Sequence, residues 1–173
     1  MTKQELEMCI EKYSRDIYSF CKYLTGNQQE ADDLYQDTFL TAMECKEKIR
    51  YNGHPKSYLL SIALRIWRNK KRKFAWRKRI ADVQSLTEER DGDMEQSAEP
   101  SPEEAIARQE TDAAVRRAVN HLPERLKITV LLFYMEDLST AQIAAAMRIP
   151  VGTVLSRLHQ ARKILKKELE DVL

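Results

Sequence analysis

The stretch 81–107 is the part of the chain least able to join a core. Glu88-Glu89-Arg90-Asp91-Gly92-Asp93-Met94-Glu95 and Glu99-Pro100-Ser101-Pro102-Glu103-Glu104 are acidic, poor in large apolar side chains and punctuated by proline. Such a segment cannot bury enough surface to offset the entropy of ordering it. It is expected to be a linker, which limits the 173 residues to two small domains, 1–80 and 108–173, rather than one large one. The linker is either a plain solvated tether or an acidic strap lying against basic surface of this chain or of a partner.

Both flanks read as helix. Only four Gly and five Pro occur and no stretch alternates at period two for long, so the expected class is all-α. Ile10, Tyr13, Ile17, Phe20, Cys21 and Leu24 recur at helical spacing over 3–25, and Gly26 suits a left-handed end. Asn27, with Glu30 three positions on, opens a second helix whose apolar side is Ala31, Leu34, Thr38, Phe39, Ala42 and Met43. Asn52-Gly53-His54-Pro55 marks a turn, and Pro55 suits the first turn of a third helix buried through Leu59, Ile62, Ala63, Ile66 and Trp67. This is a three- to four-helix N-terminal domain. Beyond the linker, Ala114, Val115, Ala118, Val119 and Leu122 form a helix stopped before Pro123, and Ile128, Leu131, Leu132 and Tyr134 lie in the next. Two more helices follow, giving a four-helix C-terminal domain.

Charge is arranged in blocks. The overall balance of +2 conceals net −5 over 1–47, +12 over 48–80, −9 over 81–112 and +4 over 113–173. Residues 48–80 hold twelve Lys and Arg and no acid, with Trp67, Phe74 and Trp76 set among the cations. So dense a positive charge calls for a polyanion, and aromatic rings between cations suit unstacked bases as well as phosphates. Trp67 reads as core, Trp76 as the exposed candidate. No Gly-rich phosphate loop, paired metal carboxylates or His/Cys/acid constellation at catalytic spacing is present, so neither an enzyme nor a cofactor or metal site is expected. Cys9, Cys21 and Cys45 are too far apart in sequence for a usual zinc site. No apolar run approaches the roughly 20 residues needed to span a bilayer, and the N-terminus does not resemble a signal peptide. A cytoplasmic protein is expected.

The C-terminal end carries a second nucleic-acid signal. Ser139-Thr140-Ala141-Gln142 is a capping box opening a short helix that buries Ile143 and Met147. Arg148-Ile149-Pro150 breaks it, and 151–162 starts a longer helix. Val151, Val154, Leu155, Leu158, Ala161 and Leu165 are expected inward, and Thr153, Ser156, Arg157 and Gln160 outward. Such a helix-turn-helix presents the small polar N-terminal end of its second helix to base edges. Taken alone, these features leave open a stand-alone DNA-binding regulator, an RNA-binding protein and a transcription adaptor.

Three motifs in order narrow the choice. Asp33-Leu34-Tyr35-Gln36-Asp37-Thr38-Phe39 resembles the Asp-Leu-x-Gln-Glu-x-Phe signature of bacterial sigma factors. Leu122-Pro123-Glu124-Arg125, Leu138–Ala144 and Val151–Leu158 resemble that family's second conserved domain. The short spacing between the two resembles the extracytoplasmic-function group. Gln142 stands where the family commonly has Glu, and Arg148 at a turn position often held by Gly or Asn.

The resemblance implies a transcription initiation factor under anti-sigma control, serving an envelope or stress response. Its partners would be core RNA polymerase (β′ clamp helices and β flap), promoter DNA and an anti-sigma factor, of a kind often membrane-anchored in this group. Polymerase would be met by Asp32, Asp33, Leu34, Gln36, Asp37 and Phe39. The opened −10 element would be captured by Arg50, Asn52, His54, Lys56, Arg65, Arg68, Asn69, Lys70, Arg72, Lys73 and Trp76, mostly on a helix over 57–73. The −35 duplex would be read by Val151, Gly152, Thr153, Ser156, Arg157, Gln160, Arg162 and Lys163.

Overall fold

The computed structural model describes residues 1–48, 54–81 and 104–171. The chain divides into two compact units, Met1–Met94 and Glu95–Leu173. Both are helical, with no strand among the described residues.

In the first unit, α1 (Lys3–Thr25) opens on a reciprocal cap. Thr2 Oγ1 accepts the Glu5 N–H at 3.2 Å, and Glu5 Oε2 accepts the Thr2 N–H at 2.7 Å. The helix closes at Gly26, whose φ of 65° favours a residue without Cβ, and whose N–H donates to the Lys22 carbonyl. Asn27 Oδ1 then accepts the N–H groups of Gln29 and Glu30 at 2.9 and 3.2 Å, starting α2 (Gln28–Glu44). A single 3-10 turn, Lys46–Lys48, precedes α3 (Pro55–Ala81).

The three helices pack on one another. Leu6, Ile17, Phe20 and Leu24 of α1 meet Leu34 and Phe39 of α2 and Leu59, Leu60, Leu64 and Trp67 of α3 in a shared core. Each large side chain buried there contributes about 1.5–3 kcal/mol relative to exposure. Thr38 enters the core because its hydroxyl donates to the Leu34 carbonyl at 2.6 Å. Cys9 and Cys21 are buried and form no disulfide, and burial raises the Cys9 thiol above its ordinary range. The outcome departs from expectation at Met43, which is exposed, and at Ile10, Tyr13 and Ile66, which are only half-buried.

In the second unit, α4 (Glu104–His121) takes over residues 104–107, which were expected to be linker. The good helix formers Glu104, Ala105 and Ala107 follow the last proline of that stretch, Pro102. Next come α5 (Glu124–Val130), a π-helical turn over Leu131–Met135, α6 (Thr140–Met147) and α7 (Val151–Glu170). Leu122, Leu126, Val130 and Ala161 form one buried cluster, with Val119, Ile164 and Leu165 packed on it. Ile128, Leu132, Ile143, Met147, Val154 and Leu158 are also buried, whereas Val115 faces out. Ser139 and Gln142 make the expected reciprocal cap, at 3.1 and 2.9 Å. Arg148 ends α6 in the left-handed region at φ 55°, ψ 49°. No helix among the described residues is long and apolar enough to cross a membrane.

Candidate nucleic-acid interface

Three helix faces carry the residues singled out by sequence. On α2, Leu34 and Phe39 lie in the core, so they fix the helix in place and do not form part of its outer surface. The three aspartates of α2 point three ways. Asp32 turns toward α1 and accepts a 2.6 Å hydrogen bond from the Tyr18 hydroxyl, which this bond holds above the usual phenol range. Asp37 turns toward α3 and pairs with Lys70 at 2.7 Å. Asp33 and Gln36 stay exposed, and Leu40 and Met43 extend the same stripe at helical spacing. Composition hid Leu40, because an outward leucine looks like any other leucine until the helix is rotated into its core. An edge-to-face row, Tyr18–Tyr35 at 5.5 Å and Tyr35–Phe39 at 4.8 Å, braces α2 against α1.

On α3, burial changes abruptly along the axis. Leu59, Leu60, Ile62, Ala63 and Leu64 are buried nearly all round, and Trp67, at 8% exposure, is the last core residue. Every residue from Lys71 to Ala81 is exposed. The basic helix therefore runs past the expected end at 73, to Ala81. Arg65, Asn69, Arg72 and Trp76 stand at spacings of four, three and four, so they form one solvent-facing stripe, which Ile80 prolongs. Phe74 lies on the opposite side, in line with Trp67, where the core face continues beyond its neighbours. Phe74 and Trp76 are 70% and 65% exposed. Lys71 Nζ sits 4.5 Å above the Trp67 ring.

The remaining candidates on this unit are distributed differently. His54 is exposed just ahead of α3, and Lys73 is exposed on its outer half. Arg68 is half-buried. Lys56 is drawn back to Asp16 at 3.0 Å, and Lys70 to Asp37. Arg50 and Asn52 lie outside the described residues.

On α7 the outward face is rotated from expectation by about one residue, roughly 100°. Val154, Leu158 and Ala161 are buried as expected. Val151 and Leu155, expected inward, are exposed, Leu155 at 54%. Thr153 and Arg157, expected outward, are half-buried. The exposed stripe is Val151, Gly152, Leu155, Ser156, His159 and Gln160, continued by Arg162, Lys163, Lys166 and Lys167. A Cβ at Gly152 would meet nothing within 4 Å, so packing inside the unit does not require glycine there. Arg162 Nε donates to the Tyr134 hydroxyl at 2.7 Å, and its guanidinium carbon lies 5.8 Å from the ring centres of both Phe133 and Tyr134. The π turn thus supplies the platform that orients Arg162.

Comparison with known proteins covers both units. Residues 9–78 match the family described as Sigma-70 region 2, and residues 112–165 match Sigma-70, region 4. The chain is 28% identical to the ECF RNA polymerase sigma factor SigW of Bacillus subtilis, over 94% of this chain and 88% of that protein. It is 31% identical to the RNA polymerase sigma-H factor of Pseudomonas aeruginosa, over 99% of this chain and 89% of that one. Among solved structures, the sigma factor RpoE from Bartonella quintana, in complex with the anti-sigma factor NepR, shares the fold. Its TM-score is 0.76 at 19% identity, covering 96% of this chain and 98% of that one.

Proposed function

Because the chain belongs to the extracytoplasmic-function group of the sigma-70 family, and is thus a non-enzymatic transcription initiation factor that binds core RNA polymerase and directs it to promoters, we propose how its surfaces divide that work. The outer face of α2, with Asp33 and Gln36 at its centre and Leu40 and Met43 beyond, docks on the β′ clamp helices. Asp32 and Asp37 border that face, and Leu34 and Phe39 support it from beneath. The stripe of α3 from Arg65 through Asn69 and Arg72 to Trp76, with His54, Arg68, Lys70 and Lys73 around it, holds the opened −10 strand. There, cations meet phosphates and the indole stacks on a base. The outward stripe of α7 lies in the major groove of the −35 element, with its lysines on the phosphates.

The observation that carries this reading is the contrast within one unit. The α2 stripe is acidic and amide-bearing, whereas α3 beyond Trp67 is cationic, aromatic and unburied. One small body thus offers chemically opposite faces to a protein and to a polyanion. An anti-sigma factor covering these faces would silence the chain. The structure of a protein of this fold bound to such a factor supports that step. We place the protein with the polymerase in the cytoplasm, serving an envelope or stress response.

Run-off transcription with purified core enzyme tests the assignment. The chain should be retained by core enzyme and should start transcripts at a defined promoter. Asp33→Arg should abolish retention, whereas replacing Lys70, Lys71, Arg72 and Lys73 by Ala should leave retention intact and block strand opening. Retention that survives Asp33→Arg overturns the α2 assignment, and opening that survives the fourfold replacement overturns that of α3.

A further inference from the structure

The rotation of α7 places two apolar side chains where base edges are read. Val151 and Leu155 are one helical turn apart and both exposed, Gly152 and His159 flank them, and the polar Ser156 and Gln160 lie further round the exposed side of the helix. We propose that Leu155, with Val151 beside it, reads the C5-methyl group of a thymine in the −35 duplex, a proposal that rests on α7 being the −35 reader. Among the edges that B-DNA presents in its major groove, this methyl is the apolar feature, beside acceptor and donor atoms. An aliphatic side chain pressed against a polar edge would strip water from it without replacing the missing hydrogen bonds. Against a methyl it packs without that penalty.

Two further observations favour a groove over an apolar protein partner. Arg162, held by Tyr134, and Lys166 continue the line of Val151 and Leu155, with Lys163 beside it, so the patch continues into cations suited to phosphates. Gly152, between the two apolar residues, has open space where a Cβ would stand, which lets the backbone of the first turn approach a surface closely.

The test uses holoenzyme, assembled from core polymerase and the full chain, on its mapped promoter. Each −35 thymine is replaced in turn by deoxyuridine, which removes the methyl and nothing else. At one or more thymines the substitution should weaken binding about threefold to fivefold, the worth of burying one methyl-sized group. Leu155→Ala should cost a similar factor on the natural promoter and abolish the penalty for uracil, and Leu155→Met should restore it. Indifference of the parent holoenzyme to uracil at every position, or a −35 element without an A·T pair, overturns the proposal. So does a Leu155→Ala chain that still discriminates uracil, or one whose defect lies in retention by core enzyme. Loss of all −35 sequence preference in the parent would instead overturn the reading of α7 itself.

Discussion

The two tryptophans of the chain should respond to truncation in opposite ways. Trp76 is 65% exposed on α3, whereas Trp67 is 8% exposed in the core beneath Lys71. Trp76→Ala removes no internal packing, so folding stability should stay within about 0.5 kcal/mol of the parent. If its indole stacks on a base of the opened strand, the same change should cost about 1–3 kcal/mol of opening. That is roughly a fivefold to 150-fold loss in the opening equilibrium. Trp67→Ala should instead destabilise the fold by about 3–5 kcal/mol, a large share of the 5–15 kcal/mol typical of a small domain. Urea unfolding separates the stability effects, and 2-aminopurine fluorescence in the −10 element reports opening by holoenzyme. Trp67→Phe leaves Trp76 as the sole indole, since the sequence holds only two, and its emission should be quenched on promoter opening. Unchanged opening with Trp76→Ala, or a stability loss matching that of Trp67→Ala, would refute the assignment of Trp76 to the strand.

Replacing Lys70, Lys71, Arg72 and Lys73 by Ala should flatten the salt dependence of promoter binding, by about 0.7 in slope for each single-strand phosphate no longer neutralised; an unchanged slope would turn this cluster away from DNA. Arg148→Gly should raise stability. Relief of about 1–2 kcal/mol of left-handed strain is partly offset by about 0.5–1 kcal/mol of added unfolded-state entropy, and a urea midpoint lowered by that entropy alone would show that the turn carries no strain. Gly152→Ala should stabilise the second unit by up to about 1 kcal/mol, through helix propensity alone, while weakening −35 binding. If affinity in a gel-shift titration is unaffected, the helix backbone does not approach the groove closely at this position.

Local signals were legible where chemistry and conformation coincide. Gly26, Asn27 and the Ser139–Gln142 cap each mark a helix end because one residue type meets one unsatisfied backbone need. The abrupt change of α3 at Trp67 was not legible, because the spacing of apolar residues says which side of a helix is apolar, not where its neighbours stop. Nor was the direction of Leu155. Seven apolar residues between 151 and 165 can be assigned to an inward face in more than one rotation, and the partners that choose among them, α5 and α6, lie elsewhere in the sequence. The turning of Asp32 to Tyr18 and of Asp37 to Lys70 is of the same kind. In sequence both belong to one acidic run, and in the fold each is claimed by a different neighbouring helix.

The exposed half of α3 raises a question of why it is helical at all. Eleven residues, 71–81, with six cations and no packing would be a marginal helix in isolation, and like charges four apart oppose it further. The costly step in helix formation is nucleation, and here it is supplied by Leu59–Trp67, which the core holds in place. Propagation then needs only one hydrogen bond per residue, and Lys, Arg and Ala favour it. The cationic, aromatic surface is thus a cantilever, fixed at its root by apolar burial and open along its length to an anion that removes its self-repulsion. The Asp37–Lys70 pair sits at that root, with both side chains about half exposed, so it is worth no more than about 1 kcal/mol. Lys70 can therefore leave Asp37 for a phosphate at little cost, and what keeps the two faces of the unit in fixed relation is the core beneath them, not the salt bridge between them.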